Sequence, residues 1–422
     1  MAGLSFRDGS NLDGPEVRSV NRRSAQSIIV LLACSFVWAC SGTSTGPGPS
    51  GSIHPTPAAT SIDGIIQQTY GGSWGVELAI YKGSKLLYEK GYGLRDRGKP
   101  ETFFGANFWE IEQPDIVLGL PRGRFAPDGN TIFDLASVSK EFTAGAILLL
   151  QQDGKLSTSD PLSKYFPSIP DSNHIPLLYL LQHRSGLVDY NTFGVYPDFS
   201  TAYASFLSSG QTNYQPIVSR LATFPLLFAP GTQYSYSNTN YVLLGMIVAK
   251  VSGEPLGTFL QQRIFTPLGM THTQQNYPLP PVSDLALGYE VDAGTVYRSW
   301  QWNLMWLAGP GGLTSTVEDL EKWDEAVRQP GRIFALDSLN QMFSPSPLSE
   351  PYGAYADGWF IAQLQGHKYV WHDGSIGGFA TMNATFPNDG IDIIILTNDF
   401  TGLDPYYIIP QIFPIALQLG SR

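Results

Sequence analysis

Cysteine is nearly absent: the 422 residues hold two, Cys34 and Cys40, both ahead of residue 41. Everything after Cys40 therefore has no disulfide framework, no thiolate nucleophile and no cysteine-ligated metal. Histidine is scarce too. None of the six falls in a His-Glu-x-x-His zinc pattern, and His54, His174, His183, His272 and His367 read as structural, so no metal site is expected. Positive charge is short, with 25 Lys and Arg against 36 Asp and Glu for a net charge of −11, and no basic cluster interleaved with aromatics occurs. That balance argues against a nucleic-acid partner. What the chain has in quantity is apolar and aromatic surface, 43% and 13% of residues, enough for a large core.

Arg22 and Arg23 precede an apolar run over residues 27–39, SIIVLLACSFVWA, too short to span a bilayer and suited to the apolar region of an export signal. Val37-Trp38-Ala39-Cys40 resembles a bacterial lipobox, with the bulky Trp38 as a departure and Leu31-Leu32-Ala33-Cys34 as a competing match. The reading is a signal segment over 1–40, lipidation at Cys40, a flexible Gly/Ser/Pro tether over 41–58 and one hydrolase-like domain over 59–422. It implies an exported protein of the bacterial cell envelope, attached to the membrane through an N-terminal lipid, with an ordinary cleaved signal as the alternative.

Residues 75–92, GVELAIYKGSKLLYEKGY, read as a β-hairpin turning at Lys-Gly-Ser. Residues 140–273 are rich in helical periodicity. YVWHDGSIGGFATMNATFPNDGIDIIILTND reads as strands again, with Asn388-Asp389-Gly390 as a hairpin turn. Strands at both ends with helices between predict an α+β fold: an antiparallel sheet assembled from the two chain ends, flanked by helices, with a mostly helical second lobe.

The stretch FDLASVSKEFTAGAILLLQQDGKL holds the one Ser-x-x-Lys in the chain. Phe142, Ala144 and the run from Ala146 to Leu150 predict a helix that is apolar nearly all round and ends at Asp153-Gly154. Lys140 enters that helix at its first turn, where burial and the positive end of the helix dipole both disfavour a cation. Such a lysine is suited to take a proton from Ser137, three residues away on the same face. The bland alternative is that Ser137 caps the helix and Lys140 reaches out to water.

Tyr236-Ser237-Asn238 lies ahead of another apolar helix, and His372-Asp373-Gly374 falls on a late strand. The ordered set Ser137-Val138-Ser139-Lys140, Tyr236-Ser237-Asn238, His372-Asp373-Gly374 resembles the class C branch of the serine β-lactamase and penicillin-binding protein family. So do the flanking phrases GYGLRDRGKP, LLYLLQHRSGLVDY, FTPLGMTHT and AGPGGLTSTVEDLEKW. The resemblance covers most of the chain after the tether and implies an acyl-enzyme hydrolase without a cofactor, acting on a small-molecule or peptide acyl substrate. It implies Ser137 as nucleophile, Lys140 as the group that helps deprotonate it, and Tyr236 as general base and later acid. Tyr236 and Lys140 titrate as a unit. Asn238 is implied to orient Lys140 and bind the substrate amide or ester, and the N–H groups of Ser137 and Ser375 to form the oxyanion hole. Gly374 is expected to admit substrate close to the strand. In isolation Tyr236 reads as packing, Asn238 as a helix cap and His372 as a strand-face histidine bonded to a carbonyl.

Gly71-Gly72-Ser73-Trp74-Gly75 matches the G-x-S-x-G pattern, but Ser73 leads into a strand where that motif needs a strand, a sharp turn and a helix. Residues 101–126 read as an insertion, either a lid or a surface excursion, and Trp300, Trp302 and Trp306 as an aromatic cluster for packing or a pocket wall.

β-Lactamases of the resembled family carry Lys-Thr-Gly where this chain has His372-Asp373-Gly374. A histidine with an ordinary pKa of about 6.5 is mostly neutral at neutral pH and gains charge toward pH 6, so carboxylate-bearing β-lactams are expected to bind poorly and to acylate better as pH falls. On a regular strand Asp373 points away from His372 and Gly374, so its charge acts at a distance. The expected activity is that of a carboxylesterase or D-alanyl peptidase, with a penicillin-binding sensor or scaffold of little turnover, or a true β-lactamase, as the alternatives.

Overall fold

Strands from the two ends of the chain meet in one antiparallel sheet. The computed structural model describes residues 61–72, 74–97, 125–190, 215–275, 284–292, 295–299, 308–400 and 404–422. The strands are β1 (Val76–Lys82), β2 (Lys85–Tyr92), β3 (Ser349–Glu350), β4 (Gly353–Tyr355), β5 (Phe360–Leu364), β6 (His367–Ile376), β7 (Phe379–Phe386) and β8 (Ile391–Thr397), in the order β2-β1-β8-β7-β6-β5-β4-β3. β1 pairs with β8 from Val76↔Thr397 to Lys82↔Ile391, which closes the N-terminal hairpin onto the C-terminal meander. Both hairpin turns fall where the sequence places them. Gly83 and Gly390 take left-handed φ of 55° and 65°, and the N–H of Gly83 donates to the carbonyl of Gly390. The expected α+β class and antiparallel sheet are what the chain forms.

Residues alternate across β8, and both faces are buried. One face carries α1 (Ile62–Tyr70) and the C-terminal α5 (Ile409–Gly420), with Phe413 stacked on Phe386 at 3.7 Å. The other face carries α4 (Val317–Arg328). Behind it lie α2 (Ser139–Gln152) and α3 (Asn238–Ser252), which pack on each other. α2 is buried without interruption from Ser139 to Leu150, as its all-round apolar pattern requires, and it ends at Asp153. A short three-stranded sheet of Phe133–Asp134, Leu313–Ser315 and Gln274–Gln275 holds the entry to α2 in place.

The export signal with Cys40, the tether, Ser73, residues 101–124 of the insertion, and Trp300, Trp302 and Trp306 lie outside the described residues.

Candidate active site

The chain reaches Ser137 through a tight turn. Asp134 accepts from the N–H of Ala136 at 2.8 Å, and Ala136 takes a φ of 47°, a left-handed conformation that costs a non-glycine residue on the order of 1 kcal/mol. A single 3₁₀ turn, Ala136–Val138, then leads into α2. No side-chain bond caps that helix, so Ser137 is not its cap. The turn is clamped to the sheet. Thr381 on β7 donates to the carbonyl of Leu135 at 2.9 Å, and a Cβ on Gly374 would lie 2.3 Å from the same oxygen. Gly374 is therefore required by the chain's own backbone at the turn of Ser137, a reason for glycine there beyond any approach of substrate. The same contact puts Ser375, the next residue of β6 and only partly buried, close to the turn of Ser137.

Lys140 is fully buried and does not reach water. Its Nζ lies 2.9 Å from Ser137 Oγ, donates to the carbonyl of Pro310 at 2.8 Å, and sits 4.8 Å from the centre of the Tyr236 ring. The Pro310 carbonyl is delivered by a loop pressed into α2 and α3. Thr143 donates to the carbonyl of Gly309 at 2.8 Å, and Ser139 accepts from the N–H of Leu313 at 3.2 Å. Gly309, with φ 111°, approaches α3 so closely that a Cβ would lie 2.1 Å from the carbonyl of Tyr241. The structure thus brings Ser137, Lys140 and Tyr236 together around the amino group of Lys140.

Tyr236 precedes α3. The N–H and side-chain amide of Asn238 both reach Asp189, at 2.6 and 3.2 Å. Asn238 is thus held by Asp189, and α3 starts against a carboxylate from a distant segment rather than a cap of its own.

His372 also departs from expectation. It is 1% exposed, and both ring nitrogens are engaged. Nδ1 lies 2.6 Å from the carbonyl of Asp373, which can only accept, so Nδ1 carries the proton and Nε2 accepts from the Tyr355 hydroxyl at 2.9 Å. Burial, with the Lys140 charge adding to it, lowers the His372 pKa to about 3. The imidazole therefore stays neutral near pH 6, and the expected gain in β-lactam acylation from a charged His372 is withdrawn. Asp373 does not act at a distance as the alternation predicts: its Oδ1 lies 3.8 Å from His372 Nδ1, and its carboxyl also reaches Asp404. Burial lifts both carboxyls above their ordinary range, and the charge of Asp373 lifts Asp404 further.

Three contributors had no assigned role in the sequence reading: Pro310, Asp189 and Tyr355. The Gly-Pro-Gly of AGPGG was a signal for close backbone approach, whereas nothing local marks Asp189 or Tyr355. Among the described residues, the carboxylates placed to share a metal ion are Glu321, Asp324 and Asp392, buried under the sheet, with the Arg328 guanidinium already bonded to Glu321 and Asp392.

A family model described as Beta-lactamase matches residues 62–410. The chain is 30% identical over 271 residues to a putative penicillin-binding protein, PbpX, of Bacillus subtilis, covering 63% of this chain and 61% of that protein. It is 31% identical over 285 residues to penicillin-binding protein 4* of the same organism, covering 64% and 61%. The chain thus spans about three fifths of the length of these curated relatives. Among solved structures, D-amino acid amidase from Ochrobactrum anthropi SV3, complexed with D-phenylalanine, superposes with a TM-score of 0.67 at 25% identity, over 85% of this chain and 98% of that one.

Proposed function

This chain belongs to the β-lactamase family, with the serine β-lactamases and penicillin-binding proteins, and on that premise we propose that it is a serine hydrolase working through an acyl-enzyme on neutral esters or on amides of D-amino acids. The observation that carries the reading is the buried Lys140 Nζ, 2.9 Å from Ser137 Oγ and 4.8 Å from the Tyr236 ring centre. An ammonium in that position supports a phenolate at Tyr236, since an opposite charge nearby favours the ionised phenol. Ser137 Oγ attacks the acyl carbonyl while its proton passes to the Tyr236–Lys140 pair. The oxyanion is met by the N–H groups of Ser137 and Ser375. The pair then returns the proton to the departing alcohol or amine; water, deprotonated by the same pair, attacks the ester of Ser137, and the pair passes that proton to Ser137 Oγ as the acid departs.

The substrate class follows from His372. Where the resembled β-lactamases carry a lysine, this site has a buried neutral imidazole with both nitrogens occupied, so no cation at that position awaits a substrate carboxylate. The likeness to a D-amino acid amidase adds the amide alternative. We expect a nitrophenyl ester and D-phenylalanine amide to be hydrolysed. A chromogenic cephalosporin should be poorer by roughly 10- to 100-fold in kcat/KM, the worth of one charge-assisted hydrogen bond, with no gain between about pH 8 and 5.5. Efficient cephalosporin turnover, or a steep rise toward pH 5.5, would sink this specificity.

Export and lipidation at Cys40 remain part of the proposal, supported by the apolar run over 27–39 and the lipobox-like residues around Cys40. Cys40→Ser should move the protein from the membrane fraction to the soluble fraction. Retention on membranes in high salt would assign the attachment to Cys34 or to an uncleaved segment.

A further inference from the structure

We infer that His183 is a positioning residue for Tyr236, fixing the phenol through a single neutral tautomer; the inference rests on the acyl-enzyme reading of the site. His183 grips the chain on both sides of Tyr236. Its carbonyl accepts from the N–H of Ser235 at 2.9 Å, and its Nδ1 accepts from the N–H of Ser237 at 3.2 Å. Its ring lies over Tyr236 with centroids 4.3 Å apart and planes 34° from parallel. One residue therefore touches the backbone before the tyrosine, the backbone after it and the face of its ring.

Reaching all three requires an unusual backbone. His183 follows the short helix Leu177–Leu181 with a φ of 53°, in the left-handed region that non-glycine residues seldom enter. Such strain persists only where the surroundings enforce it, and His183 is fully buried.

The tautomer is settled by groups that can only donate. Leu187 N–H donates to Ser185 Oγ at 3.0 Å, and the Ser185 hydroxyl donates to Asn240 Oδ1 at 2.7 Å. That turns the amide of Asn240 toward His183 Nδ1, at 3.1 Å, beside the N–H of Ser237. Nδ1 therefore accepts, and the ring proton sits on Nε2. An imidazolium would set an N–H against two donors. Burial, and after it the charge of Lys140, likewise hold the His183 pKa well below its ordinary value. The ring is thus a fixed neutral acceptor whose role is to hold Tyr236 relative to Lys140, and a misplacement of about 1 Å at such a pair is worth roughly 100-fold in rate.

The test compares His183→Phe, which keeps the ring and loses the acceptor, with His183→Gln, which loses the ring and keeps an acceptor. Rates on a nitrophenyl ester are expressed per Ser137 titrated by a fluorophosphonate. For His183→Phe we expect kcat to fall about 100-fold with KM within threefold, and the pH profile of kcat/KM to be displaced because the Tyr236–Lys140 pair shares its proton differently. His183→Gln should recover about 10-fold of that loss. Wild-type kcat per titrated site in His183→Phe, or His183→Gln no faster than His183→Phe, overturns the inference. If His183→Phe gives no titratable protein, His183→Gln decides alone: a displaced pH profile supports the inference and a wild-type profile overturns it. Wild-type protein that takes no label at Ser137 would instead contradict the reading of the site itself.

Discussion

Ser137→Ala should fold normally and lose at least about 10⁴-fold in kcat on any ester or amide the wild type hydrolyses, with no covalent label from a fluorophosphonate. The fold should survive because Ser137 is only partly buried and caps nothing, and its hydroxyl contact is with Lys140. Losing that one bond costs about 1 kcal/mol, a shift of a few degrees at most in a domain of this size. The chemistry should not survive, because in the proposed mechanism Oγ is the atom that forms the new bond. Ser73→Ala serves as the control. The G-x-S-x-G match at residues 71–75 runs straight into β1 rather than into a helix, so this variant should keep wild-type rates. Turnover that persists in Ser137→Ala and disappears in Ser73→Ala would reverse the assignment.

Arg328→Met should cost about 3–5 kcal/mol of folding free energy near pH 8, as expected when one partner of a buried ionic cluster is removed. Under the sheet, Arg328 bonds Glu321 at 3.2 Å and also bonds Asp392. Asn383 on β7 donates to both Asp324 and Glu141, at 2.9 and 3.1 Å, and Trp323 donates to Glu141 at 2.9 Å. This polar seam ties α4 to α2 and to the strands beneath, and it holds four carboxyl groups against one guanidinium. Burial raises the pKa of all four, and the neighbouring charge of Asp392 raises Glu321 and Asp324 further. Carboxyls raised on folding keep protons that the unfolded chain releases above about pH 4, so their contribution to stability falls as pH rises toward the folded pKa values. Arg328 opposes that decline. Removing it should therefore hurt more near pH 8 than near pH 5.5, and urea denaturation at the two pH values measures the difference. A loss below about 1 kcal/mol, or one that is larger in acid, contradicts this account of the seam.

Most of what positions the site was legible in the sequence because it is local. α2 announced itself by a long apolar run that stops at Asp153-Gly154, and its lysine by standing where an apolar helix does not want one. Both hairpins were written in Gly-containing turns. What escaped was set by contacts between distant segments. Pro310 meets Lys140 across 170 residues and Asp189 meets Asn238 across 49, and no local pattern encodes either pairing. Gly374 was recognised as a close-approach glycine, but the approach of the Leu135 carbonyl, from far earlier in the chain, left no local signal. His372 was misjudged because its ordinary pKa was assumed. Full burial, with Tyr355 and the carbonyl of Asp373 occupying both nitrogens, is a tertiary fact. His183, read as structural from sequence, is buried as expected, yet its bonds converge on the residues that flank Tyr236.

The central claim is that Ser137 carries the acyl group and that Lys140 enables the transfer. Rapid quenching of the full-length protein with excess nitrophenyl acetate, followed by intact-mass and peptide analysis, tests it most directly. The account predicts one acetyl group per protein, located on Ser137, forming in wild type and reduced at least about 10³-fold in rate in Lys140→Ala. An acetyl group found on any other residue, or one that forms on Ser137 equally fast without Lys140, would contradict it.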